Sequence, residues 1–181
     1  METTQVIWAM QSRSKYVELL IVVNLDTLGG KMIRYDDAYP TCKNTFASLR
    51  IFSDTVSPTD ITTRLKLDPT DFFNKGDAMD SRGGSRRFNG WFLSSENFIN
   101  SRDTRRHIDW VLAKIKDKTH EISSLYTDGA EIDISCIWIS TGQGGPVISP
   151  PQMSLLSTLN IEVWWDVYFD QDSEDDNARK A

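Results

Sequence analysis

Cysteine and histidine are scarce in this chain of 181 residues, which holds two of each. Cys42 is predicted to lie in a loop and Cys136 in a core strand, so neither a disulfide framework nor a cysteine-based zinc site is expected. His107 and His120 would lie about 220° apart around one helix and cannot bind the same metal ion. The sequence therefore predicts no metal and no cofactor.

The chain also lacks an excess of basic residues and any long apolar run. Its net charge of −6 excludes nucleic acid and anionic membranes as general partners, because binding to either needs a dominant positive field. The apolar residues 17–25 are interrupted by Glu18 and Asn24, and the run is too short to cross a bilayer. The first residues show no signal-peptide order. We therefore expect a cytoplasmic protein without a membrane anchor.

Catalytic side chains are not grouped in any familiar pattern, so no catalytic residue is predicted and an enzyme is not favoured. Ser94, Ser95 and Ser140 lie at predicted strand ends, but no Gly-x-Ser-x-Gly elbow surrounds them. His107 has aspartates nearby that would suit a general base, yet a packed or surface histidine is much commoner on a helix.

The most informative stretch that is present runs from residue 132 to residue 151. Apolar residues occupy both faces of 131–140, which predicts a central strand covered on both sides. Three glycines and Pro146 then end the strand. Ser149 is a predicted N-cap, followed by Pro150 at the first helical position and by Gln152 at the capping-box spacing. A short helix over 150–159 is expected.

The remaining pattern completes an α+β domain. Strands are predicted over residues 46–52, 71–75, 90–95 and 161–169, a short helix begins at Ser57 and Pro58, and one long helix spans 102–126. We divide the chain into an N-terminal extension (1–45) with a hairpin over 16–25 and 31–35, one domain (46–169), and a disordered acidic tail (170–181). The two strand-loop-Ser-Pro-helix units suggest either a duplication or independent convergence on a common helix start.

A family resemblance rests on several short motifs in a fixed order. They are residues 47–51, Ser57-Pro58, 67–70, 75–77, 91–95, His107-Ile108 with Trp110, and above all 140–150. Through them, residues 47–169 resemble the bacterial family of domains of unknown function numbered 4279. The resemblance implies a mixed sheet of about five strands packed by one long and two short helices, of the ferredoxin-like type with an added helix-strand unit. It implies no established activity.

Two groups of residues are candidates for binding. The loop formed by Gly142, Gln143, Gly144 and Gly145 could present backbone N–H groups to an anion, although it lacks the lysine and spacing of a P-loop. Six arginines lie between positions 82 and 106, on an otherwise acidic chain, and guanidinium groups suit phosphate or carboxylate. They are Arg82, Arg86, Arg87, Arg102, Arg105 and Arg106. Trp91 is a further candidate, as part of an aromatic pocket. The alternatives are a structural turn, a solvated loop and a core tryptophan.

These features favour a non-enzymatic module that binds a protein partner. An acidic surface suits a basic partner, and an immunity or inhibitor protein of a bacterial conflict system would have this size and composition. The alternative is an enzyme or sensor that binds a small phosphorylated or carboxylated ligand between the glycine-rich loop and the arginines. Self-association through the N-terminal segment is left open.

Overall fold

The described part of the chain, residues 34–79 and 83–170, contains five strands and four helices. The strands are β1 (Cys42–Ser53), β2 (Asp71–Phe73), β3 (Asn89–Ser94), β4 (Glu131–Ser140) and β5 (Glu162–Phe169). The helices are α1 (Pro58–Leu65), α2 (Thr104–Ile115), α3 (Thr119–Thr127) and α4 (Pro150–Leu159). The predicted N-terminal hairpin, the acidic tail beyond Asp170 and Arg82 lie outside the described residues, as does the hypothesis of self-association through the N-terminal segment.

The strands form one mixed sheet in the order β2-β3-β1-β4-β5. The first four strands pair antiparallel with their neighbours, and β5 lies parallel to β4. The first four strands have the order of a ferredoxin-like split βαβ arrangement, to which α4 and β5 are added. The computed structural model thus confirms the predicted α+β fold with a mixed five-stranded sheet.

The core lies between the sheet and the helices. Alternate residues of each strand point to this side, so that Leu49, Trp91 and Ile134 all lie at 0% exposure. Helix residues such as Ile61 and Ile108 pack against these strand residues and are also 0% exposed. Burial of these apolar side chains is the main stabilising contribution to the fold.

Both Ser-Pro helix starts are confirmed. Ser57 Oγ accepts a hydrogen bond from the backbone N–H of Asp60 at 3.1 Å, with Pro58 at the first helical position. In α4, the Gln152 side chain accepts a hydrogen bond from the Ser149 backbone N–H at 2.9 Å, as the capping box requires. Local sequence therefore sets where these two helices begin.

Three features differ from the sequence-based expectation. The expected long helix is two helices, α2 and α3, separated by a turn at Lys116–Lys118. Strand β1 begins four residues earlier than expected, and Cys42 is a buried strand residue rather than a loop residue. Strand β4 is not covered on both sides, since Ile137 and Ile139 remain partly exposed on the side away from the helices. All four helices pack on the other side.

Residues 34–41, which the sequence placed in the N-terminal extension, contact the domain closely. The Tyr35 hydroxyl donates a hydrogen bond to Asp109 on α2 at 2.5 Å, and burial together with this bond raises the pKa of Tyr35 to about 12. The Tyr39 ring meets the edge of Trp138 at a centroid distance of 5.3 Å. This segment therefore covers the end of the sheet from which the glycine-rich loop leaves.

Candidate binding face

The sheet has one face that no described helix or strand covers, which we call the open face. Cross-strand partners lie on the same face, so the strand registers define its members. They are Phe46, Ser48, Arg50 and Phe52 from β1; Asp71 and Phe73 from β2; Gly90, Phe92 and Ser94 from β3; Glu131, Asp133, Ser135, Ile137 and Ile139 from β4; and Glu162, Trp164, Asp166 and Tyr168 from β5.

One half of the open face carries an aromatic cluster, formed by Phe52, Phe73, Phe88 and Phe92. Phe52 meets Phe88 and Phe92 edge to face at centroid distances of 5.4 and 5.6 Å, and Phe73 lies 5.6 Å from Phe92. The Arg86 guanidinium lies 4.2 Å from the Phe73 ring centre. A cavity of about 450 Å³ opens among these side chains, Met79 and Arg87. The cluster is an apolar surface with a basic rim.

The centre of the open face is an ion pair. Arg50 donates two hydrogen bonds to Asp133 across the β1–β4 pairing, at 2.7 and 2.9 Å. A second cavity of about 440 Å³ is lined by this pair, by Phe52 and Phe88 of the aromatic cluster, and by Trp164 on β5. The aromatic cluster and β5 therefore belong to one continuous surface.

The other half of the open face is acidic and includes the end strand β5. Trp164 and Tyr168 are 56% and 57% exposed. Asp166 accepts a hydrogen bond from Ser135 Oγ at 3.2 Å but, like Glu131 and Glu162, forms no ion pair with a described residue. Exposed aromatic rings beside unpaired carboxylates are a composition suited to a basic partner.

The predicted site residues fall into separate groups. Arg86 and Arg87 line the cavity of the aromatic cluster. Trp91 is fully buried, because it pairs with Ile51 on the side facing the helices, and its Nε1 donates a hydrogen bond to Thr62 Oγ1 at 3.0 Å. This placement corrects the prediction that Trp91 contacts a partner.

Arg105 and Arg106 lie elsewhere, at the start of α2, and each is already paired. Arg105 bonds to the N-cap carboxylate of Asp103 at 2.5 Å, and Arg106 forms two hydrogen bonds with Asp37. Burial alone would raise the pKa of Asp103, but the hydrogen bonds from Arg105 and from the Asp36 backbone hold that pKa below its usual value. The arginine cluster seen in the sequence is therefore not one basic surface among the described residues.

The glycine-rich loop has an evident structural role. Gly144 has a φ of +130°, and a Cβ placed there would lie 2.7 Å from Thr41 Oγ1 and 2.9 Å from the Tyr39 hydroxyl. The loop thus packs against residues 39–41, while Gln143 is exposed and a Cβ placed at Gly142 would make only ordinary contact with Thr41, at 3.5 Å.

A small cavity of about 260 Å³ joins Gly145 to Arg105, but Asp36 and Asp103 line it as well. These carboxylates offset the charge of the guanidinium, which disfavours an anion there. The geometry of this cavity gives the anionic-ligand hypothesis less support than the open face gives to protein binding.

Ser95 and His107 form a buried pair that resembles a catalytic dyad only in composition. His107 Nε2 lies 3.0 Å from the Ser101 carbonyl oxygen, so Nε2 carries the proton, and Nδ1 lies 2.9 Å from Ser95 Oγ. The single proton of the Ser95 hydroxyl has two acceptors within reach, Nδ1 and the Ala47 carbonyl oxygen at 3.0 Å. Ser95 Oγ also accepts a hydrogen bond from the Ala47 backbone N–H at 2.9 Å. Both side chains are at most 1% exposed, so the pair fixes α2 to the sheet and no substrate reaches it.

A family model described as "Domain of unknown function (DUF4279)" matches residues 41–170. The chain belongs to this family. The match begins one residue before β1 and ends one residue after β5, so it covers the whole sheet and all four helices. No curated protein and no solved structure matches the chain.

Within the described part of the DUF4279 domain, no group of His, Cys, Asp and Glu side chains could hold a metal ion. No helix of residues 34–79 and 83–170 is long and apolar enough to cross a membrane.

Stability of the DUF4279 domain should depend on the protonation of His107. Burial lowers the pKa of His107 below its ordinary value of 6.5, although the hydrogen bond to Ser101 and the charge of Asp103 oppose this, and Arg106 adds to the lowering. The unfolded chain therefore binds more protons between the two pKa values. The free energy of unfolding should be constant above about pH 7 and should fall as the pH drops through about 6.5.

Denaturant unfolding at about pH 7.5 and 5.5 checks this prediction. The His107→Gln variant is the matched control, because its amide can bond to Ser95 and Ser101 without titrating. It should lose much less stability between the two pH values than the native protein. The carboxylates with lowered pKa values, Asp37 and Asp103, titrate below this window and do not interfere. Equal pH dependence of both proteins would contradict the assignment.

Sequence reasoning missed most of the open-face residues, including Arg50, Asp133 and Asp166. A signal was nevertheless present in β1, where Ser48 and Arg50 alternate with apolar residues. That alternation is typical of an antiparallel strand with one solvated face. In β5, Trp164 alternates with the apolar Val163 and Trp165, which places it on the opposite face, and it is 56% exposed.

Proposed function

We propose that this protein is a non-enzymatic binding module that recognises a basic protein partner through its open face. The observation that carries the proposal is the arrangement of the two layers. Four helices cover one side of the sheet, and the other side presents aromatic rings together with the carboxylates of Glu131, Glu162 and Asp166, which form no ion pair with a described residue. A continuous apolar surface with a charged rim is typical of protein interaction sites.

Several properties of the open face agree with a protein partner rather than a small ligand. Its hollows are open and share their lining residues. Phe52 and Phe88 line both the cavity of about 450 Å³ and the cavity of about 440 Å³ that reaches Trp164 on the last strand, and Phe73 and Phe92 join the first of these to a third hollow of about 1080 Å³. Trp164 and Tyr168 are the residue types that most often dominate binding energy at interfaces. An inhibitor or immunity protein of a bacterial conflict system is the kind of module that this arrangement suits, since it acts by covering a toxic partner.

Site-specific photo-crosslinking in the native host tests the proposal. A photoreactive phenylalanine derivative at Trp164 should capture one basic protein at low salt, and the same group at Met153, 50% exposed on α4, should not. With the purified partner, Trp164→Ala should weaken binding by about 30-fold or more, the effect of an interface hot spot. Asp166→Asn should weaken binding and reduce its salt dependence.

The result that would refute the proposal is equally specific. Identical crosslinked products from positions 164 and 153, or no product from either, would show that the open face is not the interaction surface. An affinity unchanged by both Trp164→Ala and Asp166→Asn would lead to the same conclusion, provided that both variants unfold at the same denaturant concentration as the native protein.

A further inference from the structure

The two edges of the sheet differ in a way that bears on how a partner binds. At one edge, β2 is only three residues long. At the other, β5 has eight residues with no proline, no lysine and no bulge, and no described strand pairs with its outer side. Short strands, prolines, bulges and charged side chains, lysine above all, are the usual protection of a sheet edge. Among these, β5 has only the charges of Glu162 and Asp166.

The backbone groups available on β5 follow from a hydrogen bond just after the strand. The Asp170 N–H donates to the Ser140 carbonyl of β4 at 2.8 Å, so the backbone N–H and C=O groups of residue 170 point toward β4. Alternate residues of a strand point the same way, so Trp164, Asp166 and Tyr168 also bond to β4. The backbone groups that point outward therefore belong to Val163, Trp165, Val167 and Phe169.

The charges of β5 select the kind of strand that can be added. Glu162 and Asp166 project from β5 onto the open face, and neither forms an ion pair with a described residue, although the charge of Asp166 acts on Arg50 from a longer distance. If a second copy paired antiparallel with β5 about Trp164, Glu162 would face Asp166 of the other copy, and like charges directly opposite are destabilising. A strand carrying lysine or arginine at alternate positions would place opposite charges there.

We infer that the partner adds a basic, extended segment to β5 as a sixth strand of the sheet. The inference rests on the proposed function and specifies its mode. Backbone hydrogen bonds to residues 163, 165, 167 and 169 supply affinity, and basic side chains beside Glu162 and Asp166 supply specificity. The exposed rings of Trp164 and Tyr168 lie next to those basic groups.

Amide hydrogen exchange tests the inference at single residues. The probe is a capped eight-residue peptide of alternating lysine and valine, and the control is the same peptide with glutamate in place of lysine. The lysine peptide should slow exchange at Val163, Trp165, Val167 and Phe169 by at least about tenfold. The amides of Trp164, Asp166 and Tyr168, already bonded to β4, should change little, and the glutamate peptide should have no effect.

A pair of variants separates the edge from the open face. Val167→Pro removes one outward N–H and should weaken peptide binding by about tenfold, a substitution that an edge strand can accommodate. Val167→Thr keeps the N–H and the branched shape and should bind normally. If Val167→Pro does not fold, the exchange pattern of the native protein still decides the question.

Each other outcome has a defined meaning. A partner that crosslinks at position 164, with a lysine peptide that leaves the four outward amides unprotected, would overturn the edge mode and leave the proposed function standing. Failure of both experiments would overturn both. Equal protection by the glutamate peptide would refute a basic occupant. Protection without peptide, together with a dimer mass by light scattering, would show that a second copy occupies the edge.

Discussion

Truncation of Trp91 to alanine is expected to lower the free energy of unfolding by about 3–5 kcal/mol, the range for a large aromatic side chain removed from a core. Trp91 is 0% exposed, between β1 and the helices. The change removes its packing against the core and leaves the Thr62 hydroxyl without the indole N–H that donates to it at 3.0 Å. Denaturant unfolding followed by circular dichroism measures the difference.

Trp164→Ala is the matched control, because it removes the same side chain from a position that is 56% exposed. It should change the free energy of unfolding by no more than about 0.5 kcal/mol, as surface substitutions usually do. Trp91→Ala should thus lower the stability of the protein, whereas Trp164→Ala should weaken partner binding and leave the stability almost unchanged. A Trp91→Ala protein as stable as the native one would show that this side chain is not part of the core.

Elements with strong local signals could be predicted from the sequence. The bounds of β4 and α4 agree with the expectation, since three glycines and Pro146 end the strand and the Ser149 cap begins the helix. Both signals act within a few residues and need no knowledge of the rest of the fold. In both Ser-Pro units, a strand, a loop and a Ser-capped helix follow one another in the same order.

The open face could not be predicted from β4 alone, because its exposure is a property of the topology. Strand β1 runs in the same direction as β2, with β3 between them, and β3 runs in the same direction as β4, with β1 between them. Strands β4 and β5 are parallel neighbours. Right-handed crossovers between such pairs place all the connecting helices on one side of the sheet. Apolar residues such as Ile137 and Ile139 then remain on the other side, where they belong to the open face rather than to the core.

The turn between α2 and α3 was missed for a related reason. Ile115 and Ile122 keep the helical spacing across the turn, and no glycine or proline marks it. The Lys118 N–H bonds to the Ile115 carbonyl at 2.9 Å, after which α3 packs against α1 and α4. Tertiary packing therefore redirects the chain. The loops before β3 and before α2 place Arg86 and Arg87 on one surface and Arg105 and Arg106 on another, which their closeness in sequence had concealed.

The second substitution with a large expected effect on stability lies in the glycine-rich loop. Gly144→Ala is expected to lower the free energy of unfolding by about 1–3 kcal/mol, the usual cost of a strained backbone conformation in a residue with a side chain. The φ of +130° is rarely adopted by such residues, and the new Cβ would lie 2.7 Å from Thr41 Oγ1. Thermal or denaturant unfolding measures the loss.

Gly145→Ala is the matched control, because a Cβ at Gly145 meets nothing within 4 Å, and it should change stability by no more than about 0.5 kcal/mol. A Thr41→Ala background measures the share of the closer steric contact. Thr41 Oγ1 has no hydrogen-bond partner among the described residues, so its removal relieves that contact and leaves the backbone strain and the contact with the Tyr39 hydroxyl at 2.9 Å. If Gly144→Ala and Gly145→Ala were equally mild, the loop would not be held against residues 39–41, and the glycines would be free to serve a ligand instead.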